Sequence, residues 1–193
     1  MDLDQISRVA VRAAYASADV LRTRWKHLSS IDSKGPNDLV TDGDIASEKE
    51  IIRAIQAAYP QHGIIAEESG AQEGSSDERW LVDPLDGTVN YAHQVPFFAV
   101  SIAFARRDEV LAGVVLNPVS GELFSAQAGR GALLNGEPIS VNPETRIADS
   151  LLATGFPYER SHGFQAMAER LLRCLKASRG IRRFGSAALD LCF

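Results

Sequence analysis

An α+β fold, with helices layered on a largely antiparallel sheet, is what the order of the hydrophobic patterns predicts. Two amphipathic helical stretches come first, and a long run of β-patterned segments joined by tight turns follows them. Strands that alternated with helices throughout would instead have implied a doubly wound parallel sheet.

Leu3, Ile6, Val9, Ala10, Ala13, Val20 and Leu21 recur at helical spacing, with Asp2 placed to cap, so the first helix runs to about His27. "SSIDSKGPNDLV" reads as a loop by composition. A second helix begins near Asp44, shows Ile45, Ile51, Ile52 and Ile55 on one face, and stops before Pro60. "GIIAEES" is a short strand running into acid, "AQEGSSDE" a polar loop and "RWLVD" the next strand. From Phe97 to Val141 the sequence is a meander, with turns at Arg107-Asp108, Val119-Ser120-Gly121 and Asn135-Gly136. "SLLATGF" is a further strand, Phe164 to Lys176 a helix, "RGIRRF" a strand, and Gly185 opens another helix. The chain stops inside that last pattern and reads as C-terminally truncated. Residues 1–145 are expected to form one α+β domain and residues 146–193 the start of a second.

A length of 193 residues and a hydrophobic fraction of 45% suffice for a substantial core. The net charge of −5 argues against general affinity for nucleic acid or anionic membrane, which needs clustered Lys and Arg. It leaves room for an anionic small substrate, because bound cations reverse the local sign. Cys174 and Cys192 lack metal-ligand spacing and read as buried thiols in a reducing compartment. With no signal-peptide core and no run long enough to cross a bilayer, a soluble cytoplasmic protein is expected.

Acidic residues stand at two strand ends. Glu67 and Glu68 follow "GIIA"; Asp83 follows "WLV", and Asp86 comes after Pro84-Leu85. Clustered carboxylates are costly unless protonated or neutralised, and hard cations such as Mg²⁺ take oxygen ligands of this kind, the Leu85 carbonyl included. Pro84 stiffens the turn and Gly87 lets it bend. A helical start at Gly87-Thr88 would aim N–H groups and a hydroxyl at an anion. Asp-Pro-x-Asp-Gly is equally an ordinary turn signature, and Glu67-Glu68 alone equally a solvated loop. In "DLVTDGDIASEKE", Asp42 and Asp44 lack the later ligands of a calcium loop. Thr41 or Asp44 is expected to cap the second helix, leaving the other able to reach a catalytic water. Lys34 reads as a solvated charge, and His27, His62, His93 and His162 as structural or exposed. Ser69 and Ser101 lack a nucleophile elbow.

The segments "DLVTDGD", "AEES", "WLVDPLDGTVNYAHQVPFFAVSIAF", "GVVLNPVSGELFSAQAGRGALLNG" and "RRFGSAALDL" together resemble the inositol monophosphatase family of metal-dependent, lithium-sensitive phosphatases. The resemblance implies a layered αβαβα sandwich, here with the second sheet incomplete, and a homodimer. It implies two to three Mg²⁺ ions held by Glu67, Asp83, the Leu85 carbonyl and Asp86, with Asp83 bridging. Thr88, backed by Asp44, would orient and deprotonate a metal-activated water; Glu67 belongs to the same catalytic group. Asp86, Gly87 and Thr88 would meet the substrate phosphate, and Gly185, Ser186 and Ala187 the polyol end. A further aspartate completing the second metal site would lie beyond Phe193, since Asp190 sits inside a helix pattern and reads as structural.

The activity so implied is hydrolysis of inositol monophosphate or a similar polyol or sugar phosphate. Alternatives on the same scaffold are a sugar bisphosphatase, a histidinol-phosphate phosphatase or a nucleotide phosphatase. In a different class stands a non-catalytic partner in transcription antitermination.

Overall fold

The computed structural model describes residues 2–28, 30–35, 38–157 and 163–193, with only the backbone of residues 34, 35 and 38. His162 and the Lys34 side chain therefore lie outside the described residues.

Helix α1 (Leu3–Arg24) opens on the Asp2 carboxylate, which accepts from the amides of Asp4 and Gln5. It buries Ile6, Ala10, Ala13, Ala14, Ala18 and Leu21, one continuous stripe of mostly small residues. The stretch read as a loop folds into an antiparallel pair, β1 (Ile31–Gly35) and β2 (Asp38–Thr41), with an irregular register between Ser33 and Gly35. Backbone pairing there overrides a composition rich in Gly, Pro, Asn and Asp. Helix α2 (Asp42–Ala58) packs closely along α1. Its buried face carries Asp44, Ser47, Glu48, Ile51 and Ile55. Ile45, assigned to that face from spacing, is exposed.

Strands β3 (Gly63–Ala66), β4 (Gly70–Gln72) and β5 (Glu78–Asp86) follow. The start of the expected polar loop is thus β4, paired antiparallel with β3. A short helix α3 (Thr88–Ala92) precedes the meander of β6 (Ala99–Arg106), β7 (Glu109–Leu116), β8 (Leu123–Gln127), β9 (Gly131–Leu134) and β10 (Glu137–Ile139). Eight strands join in the order β10-β9-β8-β7-β6-β5-β3-β4, antiparallel except for β3 beside β5. Two hairpins turn through left-handed residues where expected, at Arg107 and at Asn135-Gly136.

The main core lies between the sheet and helices α1 and α2. Trp80, Phe104, Tyr59 and His62 interlock there, and the Trp80 indole N–H donates to His62 Nδ1 at 3.1 Å. After a 3₁₀ turn at Ile147–Asp149, strands β11 (Leu151–Ala153) and β12 (Gly180–Arg182) pair in parallel around helix α4 (Phe164–Ala177). Helix α5 (Ala187–Cys192) closes the described chain and buries Leu189 against Ala99 and Phe124. Cys174 and Cys192 are free, but half-buried rather than fully enclosed. No helix among the described residues is long and apolar enough to cross a membrane.

Candidate metal centre

The site begins with a register. Strands β3 and β5 run parallel with Ala66 opposite Val82, so Glu67 and Asp83 leave neighbouring strands side by side. The Glu67 amide donates to the Val82 carbonyl at 3.0 Å, extending the ladder one step into the acidic turn. Asp83 and Asp86 flank an irregularity in the β5–β6 pairing, where Pro84 and Leu85 are squeezed out of register. The Leu85 amide donates to Asp83 Oδ1 at 3.1 Å, so Asp83 caps the turn it begins. The sequence had two readings for this stretch, a turn or a metal site; the turn is real, and it gathers the acids.

Gly87 takes φ of +102°, and a Cβ there would sit 3.1 Å from the Gly185 carbonyl and 3.2 Å from the Phe98 Cβ. Left-handed backbone and close approach both demand glycine. Gly185 is under the same constraint, at φ of +96° with a Cβ only 2.8 Å from the Asn90 amide nitrogen. Asn90 ties these segments together by donating to the carbonyls of Phe97 and Phe184, at 2.6 and 2.7 Å.

Asp44 and Thr88 meet as expected. Thr88 Oγ1 lies 3.1 Å from Asp44 Oδ1 and 3.1 Å from the Leu85 carbonyl oxygen. Both expected candidates cap the helix, Thr41 as the N-cap that accepts from the Gly43 and Asp44 amides, and Asp44 also reaches Thr88. Asp44 Oδ2 accepts from the Thr41 amide (2.7 Å) and hydroxyl (2.6 Å) in a capping box, while Oδ1 faces Thr88. Burial pushes the Asp44 carboxyl up to about 6, against the pull of its hydrogen bonds to Thr41 and Thr88.

Asp83 is pushed further, to about 8, first by burial, then by the negative charges of Glu67 and Asp86 and a hydrogen bond with Glu67. Glu67 and Asp86 thus both disfavour the ionised form of Asp83. That electrostatic debt fits a divalent cation, as does a donor set made only of oxygen. Among the described residues, however, no three Asp, Glu, His or Cys side chains already stand as a ligand group. The chemistry fits Mg²⁺, and Glu67 and Asp83 are close enough to share a hydrogen bond.

Asp86 has partners that the sequence did not reveal. Its Oδ2 accepts from the Ser186 hydroxyl (2.7 Å) and the Ala188 amide (2.6 Å) at the start of α5. Ser186 is fully buried in doing so, Gly185 lies against Gly87, and Ala187 is exposed. Asp190, on α5, is raised by burial and by the charge of Asp86.

Two supporting residues were not picked out from sequence. Glu48, only 4% exposed, accepts from the amides of Glu68 (2.8 Å) and Ser69 (3.0 Å). Ser47 donates to the Pro84 carbonyl at 2.9 Å and is itself met by the Ser17 hydroxyl of α1. A signal existed: a serine and a glutamate on the apolar stripe of α2 are out of place unless something there needs them.

Comparison with known proteins shows what the whole chain is similar to. The model of the inositol monophosphatase family matches residues 2–193. Nus factor SuhB of Haemophilus influenzae is 42% identical over 194 residues, which cover 99% of this chain and 73% of the relative. The crystal structure of the extragenic suppressor protein SuhB from Bartonella henselae superposes with a TM-score of 0.93 at 38% identity, covering 97% of this chain and 73% of that one. The structure of inositol monophosphatase from Anabaena (Nostoc) gives a TM-score of 0.86 at 36% identity, over 100% and 71% of the two chains.

Proposed function

The chain belongs to the inositol monophosphatase family, and from that premise we propose that it hydrolyses inositol monophosphate or a similar polyol or sugar phosphate with two to three Mg²⁺ ions. The observation that carries this reading is the approach of Glu67 and Asp86 to Asp83, whose carboxyl is pushed up to about 8 by burial first and by those two charges next. Glu67, Asp83, the Leu85 carbonyl and Asp86 would hold the ions. Magnesium bound there supplies positive charge that acidifies water, neutralises phosphate oxygens and stabilises the leaving alkoxide.

The chain's own part is orientation and proton movement. Asp44, already saturated by Thr41 on Oδ2, offers only Oδ1 to Thr88. Thr88 Oγ1 can therefore pass its proton to Asp44 Oδ1 while taking one from an incoming water. With its carboxyl near 6, Asp44 is ionised at neutral pH and able to accept. The Gly87 and Thr88 amides receive the phosphate in this reading, and the Gly185–Ala187 segment faces the polyol. A cytoplasmic location and a homodimer belong to the same reading.

Mg²⁺-dependent release of phosphate from inositol 1-phosphate, inhibited by lithium, is the test. No release there, with turnover of histidinol phosphate, a sugar bisphosphate or a nucleotide, would move the substrate within the scaffold. The relatives named Nus factor SuhB support a second reading, a non-catalytic partner in transcription antitermination. A protein inactive on the whole substrate panel that co-purifies with transcription factors would favour it.

A further inference from the structure

One face of α2 reaches three parts of the proposed centre. Asp44, Ser47 and Glu48 stand at i, i+3 and i+4, and so on the same side of the helix. Asp44 reaches Thr88, Ser47 reaches the Pro84 carbonyl, and Glu48 reaches the amides of Glu68 and Ser69. Resting on the cation reading above, we propose that Ser47 and Glu48 are positioning residues that fix the separation between Glu67 and the Asp83–Asp86 turn. Helix α2 then sets the span that a cation must fit.

The route by which each acts is short. Ser47 holds the oxygen of the Pro84–Leu85 peptide, and the N–H of that same planar unit binds Asp83 Oδ1. Turning that peptide would swing Asp83. With its one proton given to the Pro84 carbonyl, Ser47 can only accept from Ser17 of α1, and that second bond helps to hold its hydroxyl in place. On the other strand, the Glu67 amide is fixed by the Val82 carbonyl and the peptide after Glu67 by Glu48. Glu67 is therefore gripped on both sides of its Cα. An apolar side chain at position 48 would fill the stripe at lower desolvation cost, so a carboxylate there is explained by what it holds.

Calorimetric titration of Mg²⁺ and amide exchange at Glu68 and Ser69 test this in the wild type, Ser47→Ala, Glu48→Ala and Ile55→Val. Ile55 is a fully buried α2 residue that touches none of the site bonds described, and serves as the control for plain destabilisation. Glu48→Ala should speed exchange of both amides about tenfold or more and weaken Mg²⁺ binding by about 10–100-fold. Ser47→Ala should weaken binding in the same direction without exposing the two amides. Ile55→Val should lower the thermal midpoint and leave the dissociation constant unchanged. If Glu48→Ala does not fold, Ser47→Ala carries the test. Dissociation constants of both site variants within about twofold of wild type, or an Ile55→Val variant that weakens Mg²⁺ binding as much as they do, overturn the proposal. A wild type that binds no Mg²⁺ would sink the cation reading beneath it. The exchange data then still decide the clamp, since unchanged protection of Glu68 and Ser69 in Glu48→Ala overturns it.

Discussion

The stretch from α1 through β10 and the stretch from the 3₁₀ turn through α5 handle apolar side chains in opposite ways. In the first, Ile6, Leu21, Ile51, Trp80 and Phe104 are essentially sealed between sheet and helices. In the second, α4 buries none of its residues, and Phe164, Leu172 and Leu175 are each more than half exposed. Only Ser186 and Leu189 are buried among the described residues after 146. Yet this thinly packed stretch supplies Asp86 with two of its hydrogen bonds. The rigid part therefore builds the acidic turns, and the loosely packed part trims the position of one acid. The division near residue 145 is a proposal that this contrast motivates.

The sharpest way to probe the first half is at Asp83. Asp83→Asn should nearly abolish Mg²⁺-dependent phosphate release, because the acid common to both proposed metal positions is gone. The metal-free protein should respond the other way. Folded Asp83 titrates at about 8 instead of 3.8, so the unfolded chain gives up its proton first as pH rises. Wild-type stability should then fall between about pH 4 and pH 8, by about 2 kcal/mol once discounted for partial exposure. Urea midpoints in EDTA should show that fall, and Asp83→Asn should flatten it. Added Mg²⁺ should remove the slope from the wild type.

Packing sets the next effect. Trp80→Ala empties a site lined by Tyr59, His62 and Phe104 and should cost about 3–5 kcal/mol. Leu172→Ala, on α4, should cost less than about 1.5 kcal/mol because more than half of its surface already meets water. Similar costs by urea denaturation would break the contrast between the two stretches.

The join between them is apolar at Leu189, which packs on Ala99 and Phe124, and polar at Asp86, and Ser186→Ala tests the polar part. Losing the hydroxyl leaves Asp86 with the Ala188 amide alone and should cost about 1 kcal/mol of stability. If Asp86 serves a cation, Mg²⁺ affinity should drop about tenfold at the same time. Lost stability with unchanged affinity would make the bond a mere fastener.

How far the sequence spoke depended on whether a feature was local. The 3.6 and 2.0 periods exposed α1, α2 and the meander, and Asn135-Gly136 announced its hairpin, because those signals sit within one element. The β1–β2 pair and β4 were hidden, since ladder bonds to a neighbour hold segments whose composition favours turns. The same rule divides the site. Asp83, Leu85, Asp86 and Thr88 were legible from one turn motif, and Asp44 from a capping pattern. Glu48 and Ser186 act 20 and 100 residues away in sequence, and nothing local names their partners.

The smallest effect belongs wholly to the first stretch. His62 lies within the aromatic group and accepts the Trp80 N–H on Nδ1, which requires that nitrogen to be unprotonated. Burial lowers its pKa below 6.5, partly opposed by the charge of Glu78. The unfolded chain consequently binds a proton first as pH falls, so the contribution of neutral His62 is present above about 6.5 and declines below it. With the ring only partly enclosed, the loss between pH 7.5 and 5.5 should stay under about 1 kcal/mol. Amide exchange in β5 and β6 should quicken over that range while β11 and β12 do not respond. In His62→Gln, which can still accept the indole N–H but cannot titrate, the β5–β6 response should vanish. An equal response in β11 and β12 would mean that the two stretches unfold as one unit, and the contrast in burial would then have no counterpart in stability.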